Sequence, residues 1–218
     1  MPNPNPNGDH LPRLSRHLYQ GHAAIHWQST LQDRAAGWLT DLFHARFREI
    51  LLHTAHRESL ICPAYCLMPD HIHLVWIGLR LESDQRNAMK FLREHINREL
   101  EHASANRQPH PPGDDTGWRL QKQAYDHILR HEERQRAALQ AHCDYIRMNP
   151  VRASLVRHDL DWPFTGCIAP GYPALHPGKA DSWEIFWRVH DAARNDETLP
   201  SKDEKPKLHE RLGDARLR

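Results

Sequence analysis

Apolar residues along the chain recur with periods that predict most of its elements. Around Ile25, Trp27 and Thr30, β-branched and aromatic residues alternate with polar ones, which predicts a first strand over residues 22–31. Trp38, Leu42, Phe43, Phe47, Ile50 and Leu51 recur every three or four residues and predict an amphipathic helix over 39–56, opened by Thr40 or Asp41 and resting one face on a sheet. Two apolar runs, 60–67 and 71–79, are separated by Pro69-Asp70 and predict a buried hairpin. Ser83-Asp84 then announces a helix over 85–102, with Ala88, Met89, Leu92, Ile96 and Leu100 on its inner side. Its other side carries Arg86, Lys90, Arg93 and Arg98, the pattern of a solvated face, with DNA contact as the alternative.

Downstream the pattern loosens. Residues 103–117, with Pro109, Pro111, Pro112, Gly113 and Gly117, predict a long polar connection, followed by a short extended segment ending in Tyr125-Asp126-His127. Ala138, Leu139, His142, Tyr145, Ile146 and Asn149 fall at helical spacing, predicting one continuous helix over 132–148 that Pro150 stops. A strap then runs from Val151 to Trp162-Pro163-Phe164, and a last helix over 182–194 presents Trp183, Phe186, Trp187 and Val189. The expected organisation is a disordered lead over 1–20, one catalytic domain over 21–165, a C-terminal extension over 166–194 and a charged disordered tail over 195–218.

Composition narrows the classes without choosing among them. At 218 residues, 39 % of them hydrophobic and 26 % charged, the chain suits one soluble domain with appendages. It has no apolar run of membrane-spanning length and no apolar leader, so a cytoplasmic, nucleoid-associated protein with no membrane partner is expected. Four cysteines without a CxxC pair read as buried thiols. The balance of 29 Lys+Arg against 28 Asp+Glu does not advertise a nucleic-acid binder, but residues 118–157 hold eight basic against four acidic residues.

Two places carry candidate chemistry. In the second hairpin strand His71 and His73 are two residues apart and share one face, so both imidazoles can meet one divalent cation. Taken alone, the pattern reads by default as two half-buried strand histidines, and a zinc site that adds Cys62 and Cys66 is a further alternative. Tyr145 and Asn149, four apart on the predicted helix, share a face one turn apart. A phenol and a carboxamide there supply a nucleophile and a neutral oxygen ligand.

Met68-Pro69-Asp70-His71-Ile72-His73-Leu74, then Asp144-Tyr145-Ile146-Arg147-Met148-Asn149-Pro150-Val151-Arg152-Ala153, then Trp162-Pro163-Phe164, resemble in sequence and order the REP-associated tyrosine transposases, relatives of the one-tyrosine HUH insertion-sequence transposases. The resemblance covers about residues 22–164, with Tyr125-Asp126-His127 also in place, while Ser154 and Thr165-Gly166 depart from it. It implies an α+β fold, a ferredoxin-like antiparallel sheet of HUH-endonuclease type with helices packed on it. It also implies single-stranded DNA nicking and rejoining in DNA transposition, through a 5′-phosphotyrosyl intermediate on Tyr145. His71, His73 and Asn149 would be ligands of Mg²⁺ or Mn²⁺, and the partner would be single-stranded or hairpin DNA, bound by a monomer or homodimer. Around that site Arg147 and Arg152 are candidates to grip phosphates, Trp118 and Tyr125 to stack on bases, and Asp126 and His127 to orient the metal ligands. The alternatives are a non-catalytic, domesticated hairpin binder and a metal hydrolase using an activated water.

Overall fold

The computed structural model of the protein describes residues 14–105 and 117–195. Its centre is the predicted hairpin, β2 (Leu60–Met68) and β3 (His71–Gly78), joined by the two-residue turn Pro69-Asp70. β1 (Ala24–Thr30) pairs with β3, and β4 (Tyr125–Ile128) pairs with β1 at the edge. A short strand that the sequence pattern does not announce, β5 (Thr165–Ile168), pairs with β2 at the other edge. The sheet is antiparallel throughout, in the order β4-β1-β3-β2-β5. The first four strands and the helices between them follow the ferredoxin-like order, with β5 added.

Alternation along the strands divides the core in two. One side holds Ile25, Trp27, Tyr65, Leu67, Ile72, Leu74 and Trp76, covered by α1 (Asp41–Arg57) and α2 (Gln85–Ala105). The other side holds Ala64, Cys66, Met68, Val75 and Ile77 under Leu139, Cys143 and Ile146 of α3 (Arg136–Arg147) and Phe186 of α5 (Ser182–Asn195). His71 and His73, in phase with Val75 and Ile77, point to this second side.

Local chemistry fixes both helices of the first layer. Thr40 caps α1, its Oγ1 accepting from the Phe43 amide at 3.1 Å, and Phe43, Phe47 and Leu51 then face the sheet at spacing four. Asp84 caps α2, accepting from the amides of Arg86 (3.0 Å) and Asn87 (3.1 Å). The same carboxylate accepts from Arg16 and Gln20, and so ties the chain before β1 to α2. Gln85 is wholly buried and donates to the carbonyls of Ala23 and Trp76 while accepting from the Trp27 indole, which pins the start of α2 to β1 and β3.

The structure departs from the sequence reading at three places. Residues 16–19 form a 3-10 turn and Tyr19 is fully buried, so the domain begins inside the expected lead; residues 1–13 lie outside the described residues. The expected helix over 132–148 breaks at Gln135, with a 3-10 turn (Glu132–Arg134) before α3. The helix does end at Arg147, ahead of Pro150, which then sits in the first turn of the short α4 (Asn149–Arg152), where its missing amide is no loss. Finally, β5 and α5 belong to the domain, because β5 completes the sheet and Phe186 joins its core, so a boundary after residue 165 cuts through a strand. The polar connection contains the last turn of α2, and residues 106–116 and the tail from 196 lie outside the described residues. No helix among the described residues is long and apolar enough to cross a membrane.

Candidate active site

The Pro69-Asp70 turn aims the histidine pair and is held from three directions. The Trp38 indole donates to the Pro69 carbonyl at 2.6 Å, the Leu31 amide donates to the Asp70 carbonyl at 2.9 Å, and the Trp162 indole donates to the Leu67 carbonyl at 2.9 Å. From this base the Nε2 atoms of His71 and His73 converge to 3.0 Å. Two nitrogens about 2.1 Å from an octahedral ion stand about 3.0 Å apart at right angles. The spacing is one at which both nitrogens can meet a single divalent ion.

The other ring nitrogens are occupied in the manner a metal ligand requires. His71 Nδ1 faces Asp70 Oδ1 at 2.6 Å, so Nδ1–H donates to the carboxylate and Nε2 keeps its lone pair. Burial alone would raise the Asp70 carboxyl; the hydrogen bonds from His71 and from Arg34, at 2.5 Å, outweigh it and hold Asp70 below the usual carboxylate range. His73 Nδ1 faces His26 Nε2 at 2.9 Å. Burial first, then the nearby His73 and His142, push the His26 imidazole down to about 3, so it stays neutral and can accept from His73. Burial, with His71 and Arg152, likewise lowers His73 to about 3. Both keep the lone pairs that coordination uses.

Asp70 and His26 were not among the site residues expected from sequence. Asp70 carried a local signal, a carboxylate adjoining a strand histidine. His26 carried none, because its neighbour is 47 residues away and meets it only through the β1–β3 register.

α3 brings the second half of the site to the same side of the sheet. His142 packs edge-on against His26, ring centroids 5.0 Å apart, and its buried Nε2 has no hydrogen-bond partner among the described residues. Tyr145, one turn on, is 59 % exposed. The Arg152 guanidinium lies over its ring at 3.7 Å and donates to Asn149 Oδ1 at 2.6 Å and to the Tyr145 carbonyl at 2.8 Å. One cation thus joins the candidate nucleophile to the candidate third ligand, and its field reaches His73. Asn149 Nδ2 donates to the Ile146 carbonyl at 3.0 Å, which turns Oδ1 away from the helix. No group of three or more His, Cys, Asp or Glu side chains that could hold a metal ion occurs among the described residues, and Asn149 is the third ligand only as the resemblance implies it.

Several expected partners lie elsewhere. Asp126 alternates to the far side of β4, where it accepts from Tyr19 Oη at 2.7 Å, so it orients no metal ligand. His127 does face the site side, in register with His26, stacked at 6.0 Å on His142 and 2.9 Å from Glu133. Trp118 is buried in the α1/α2 core and donates to the Ala36 carbonyl, so it cannot stack on a base. Arg147 is enclosed by Asp144 and Asp159, which answer its charge, so it is not free to grip a phosphate. Tyr125 is 59 % exposed and lies in one sheet row with Gln28 and His73, about 10 Å from the latter across two strand spacings. The zinc alternative fails because a register shift between Ile61 and Ala64 puts Cys62 in the α1/α2 core and Cys66 in the opposite one. Burial pushes the Cys66 thiol up to about 11 and Cys167 to about 12, so these cysteines are inert core residues.

No family model matches the chain. It is 32 % identical over 143 residues, 62 % of this chain and 74 % of the relative, to a protein of Haemophilus influenzae named as a REP-associated tyrosine transposase. Among solved structures it resembles a REP-associated tyrosine transposase bound to a REP hairpin, with a TM-score of 0.54 and 20 % identity, covering 72 % of this chain and 81 % of the other. The second likeness establishes the fold.

Proposed function

The chain belongs to the REP-associated tyrosine transposases, enzymes that process DNA, and from that premise we propose that it nicks and rejoins single-stranded DNA beside a hairpin, with Tyr145 as nucleophile. Tyr145 Oη attacks the phosphorus of a phosphodiester. The Oη–P bond forms as the P–O3′ bond breaks, the phenol gives up its proton, and the departing 3′ oxygen takes one up. The 5′ phosphate stays on the tyrosine with its bond energy conserved, so a 3′ hydroxyl can attack in reverse and reseal the strand.

What supports this reading is that α3 packs through Leu139, Cys143 and Ile146 on the sheet face from which the two Nε2 atoms converge, and that Arg152, which contacts both Tyr145 and Asn149, has a field that reaches His73. Mg²⁺ or Mn²⁺ held by His71, His73 and Asn149 would polarise the scissile phosphate and offset the charge it gathers. Asp70 and His26 fix the tautomers and ring orientations of the two histidines. Arg152, already over the Tyr145 ring, supplies positive charge where the phosphate must arrive, and Tyr125 offers a face for an unpaired base. The hairpin carried by the solved relative supports hairpin DNA as the partner.

Incubating the protein with a single-stranded hairpin oligonucleotide and Mg²⁺ or Mn²⁺ should yield a covalent protein–DNA adduct on a denaturing gel. EDTA should prevent it and Tyr145→Phe should abolish it. An adduct formed by Tyr145→Phe would refute the assignment.

A further inference from the structure

On the site side of the sheet three histidines outside the ligand pair lie against one another. His26 of β1 and His127 of β4 stand directly opposite in the strand register. His142 of α3 meets both: it is edge-on to His26, ring centroids 5.0 Å apart at 77°, and nearly parallel to His127 at 6.0 Å and 18°. Glu133 in turn holds His127 at 2.9 Å. Burial first, then His127, lowers the His142 imidazole, with Glu133 opposing, and His26 is lowered as well, so these two rings meet without charge repulsion. His142 Nε2 is buried without a hydrogen-bond partner among the described residues, so what His142 offers His26 is ring packing. His26 itself has one ring hydrogen bond among the described residues, to His73 Nδ1 at 2.9 Å.

We propose that His142 is a positioning residue for the ligand pair: from the tyrosine helix its ring holds His26, and through His26 the tautomer and tilt of His73. This rests on the reading of His73 as a metal ligand and deepens it. The outer torsion of a histidine side chain is broad, and one hydrogen bond fixes where a single nitrogen points while leaving the ring free to tilt about that contact. Packing against the His142 ring removes this freedom from His26. His73 then donates its Nδ1 proton to His26 Nε2 and keeps the Nε2 lone pair on the side of His71. His142 and Tyr145 are three residues apart on α3 and share a helix face. The turn that carries the candidate nucleophile therefore also braces a ligand, and the docking of α3 is linked to the geometry of the histidine pair. A phenylalanine would pack in the same place and bury no unpaired nitrogen, so the ring and the nitrogen can be told apart.

The test compares His142→Ala, which removes the ring, with His142→Phe, which keeps it, both in the full chain. Long-range proton–nitrogen NMR correlation in EDTA reads the His73 tautomer, and calorimetric titration with Mn²⁺ reads the affinity. In the native protein and in His142→Phe, His73 should carry its proton on Nδ1 alone. In His142→Ala it should show a mixture of both tautomers, and Mn²⁺ should bind about threefold to tenfold more weakly, less than the roughly 10- to 100-fold that a direct partner of a ligating histidine contributes. Leu139→Val, which loosens the packing of the same helix one turn earlier, should leave the His73 tautomer unchanged. A native tautomer and affinity in His142→Ala, a loss in His142→Phe as large as in His142→Ala, or the same tautomer mixture in Leu139→Val would each overturn the proposal. Covalent adduct formation by the unmodified protein reports separately on the strand-transfer reading. A tautomer shift without adduct therefore sinks only the transferase, and adduct with an unaltered tautomer sinks only the positioning role.

Discussion

Replacing Asp70 by Asn probes whether the histidine pair works as a metal ligand set. The side chain keeps its shape and loses its charge. In the native protein Asp70 Oδ1 is 2.6 Å from His71 Nδ1 and Oδ2 is 2.5 Å from Arg34, with the Asp70 side chain 24 % exposed and the His71 side chain 17 %. A hydrogen bond to a charged group contributes about 1.5 to 3 kcal/mol and its neutral counterpart about half of that, so the loss at His71 is about 1 to 1.5 kcal/mol. The Arg34 pair is half in solvent and adds little. The apparent affinity for Mn²⁺ should therefore fall about tenfold, in keeping with what partners of ligating histidines contribute elsewhere. Calorimetric titration with Mn²⁺ reads this directly, and the metal concentration for half-maximal adduct should move with it while the yield at saturating metal recovers. If Asp70→Asn binds Mn²⁺ as the native protein does, with an unchanged melting curve, then His71 does not depend on this carboxylate and the ligand assignment loses its main geometric support.

Arg152→Gln should slow adduct formation at saturating DNA by about 10- to 100-fold, because it removes the charged hydrogen bond to Asn149 and the cation over Tyr145; Arg152→Lys should recover only part, since one ammonium cannot span both. Equal rates for all three proteins in a single-turnover assay would remove Arg152 from the site. His44 reports on acid stability: burial first, then Arg48, lowers it to about 4, while Asp41 opposes. A base with a lowered folded pKa stays neutral in the fold and protonates in the unfolded chain, so its stabilisation is whole above about pH 6.5 and is lost as pH falls toward 4. After discounting for the part of the ring that meets solvent, this is about 1 kcal/mol at pH 5. His44→Gln should flatten the pH dependence of urea stability by that amount over that window, and an identical profile would contradict it.

Where local periodicity decides structure, the sequence sufficed. α1, α2 and the β2–β3 hairpin are long, strongly patterned and closed by local signals such as the Asp84 cap, so their register follows from the residues themselves. β5 is four residues long and exists because β2 offers an open edge, a fact about the sheet rather than about Thr165–Ile168. Faces were harder than elements. Tyr125, Asp126 and His127 form one visible block, yet alternation sends Asp126 to Tyr19 and the other two toward the candidate site, a choice set by pairing with β1. Arg147 and Arg152 looked alike in sequence. Only the fold brings Asp159 to neutralise one and leaves the other over a tyrosine.

The Pro69-Asp70 turn, fastened by two indoles and a backbone amide, gives the site an uneven stiffness. The imidazoles ride on the sheet and cannot shift without breaking the Trp38 and Trp162 hydrogen bonds, whereas the tyrosine sits on a helix that ends at Met148, where the short α4 begins. Whatever adjustment a bound strand requires thus falls on the helical half. Amide exchange should register the difference, with Leu31 and Leu67 slow to trade their hydrogens and the backbone around Met148 quick to do so.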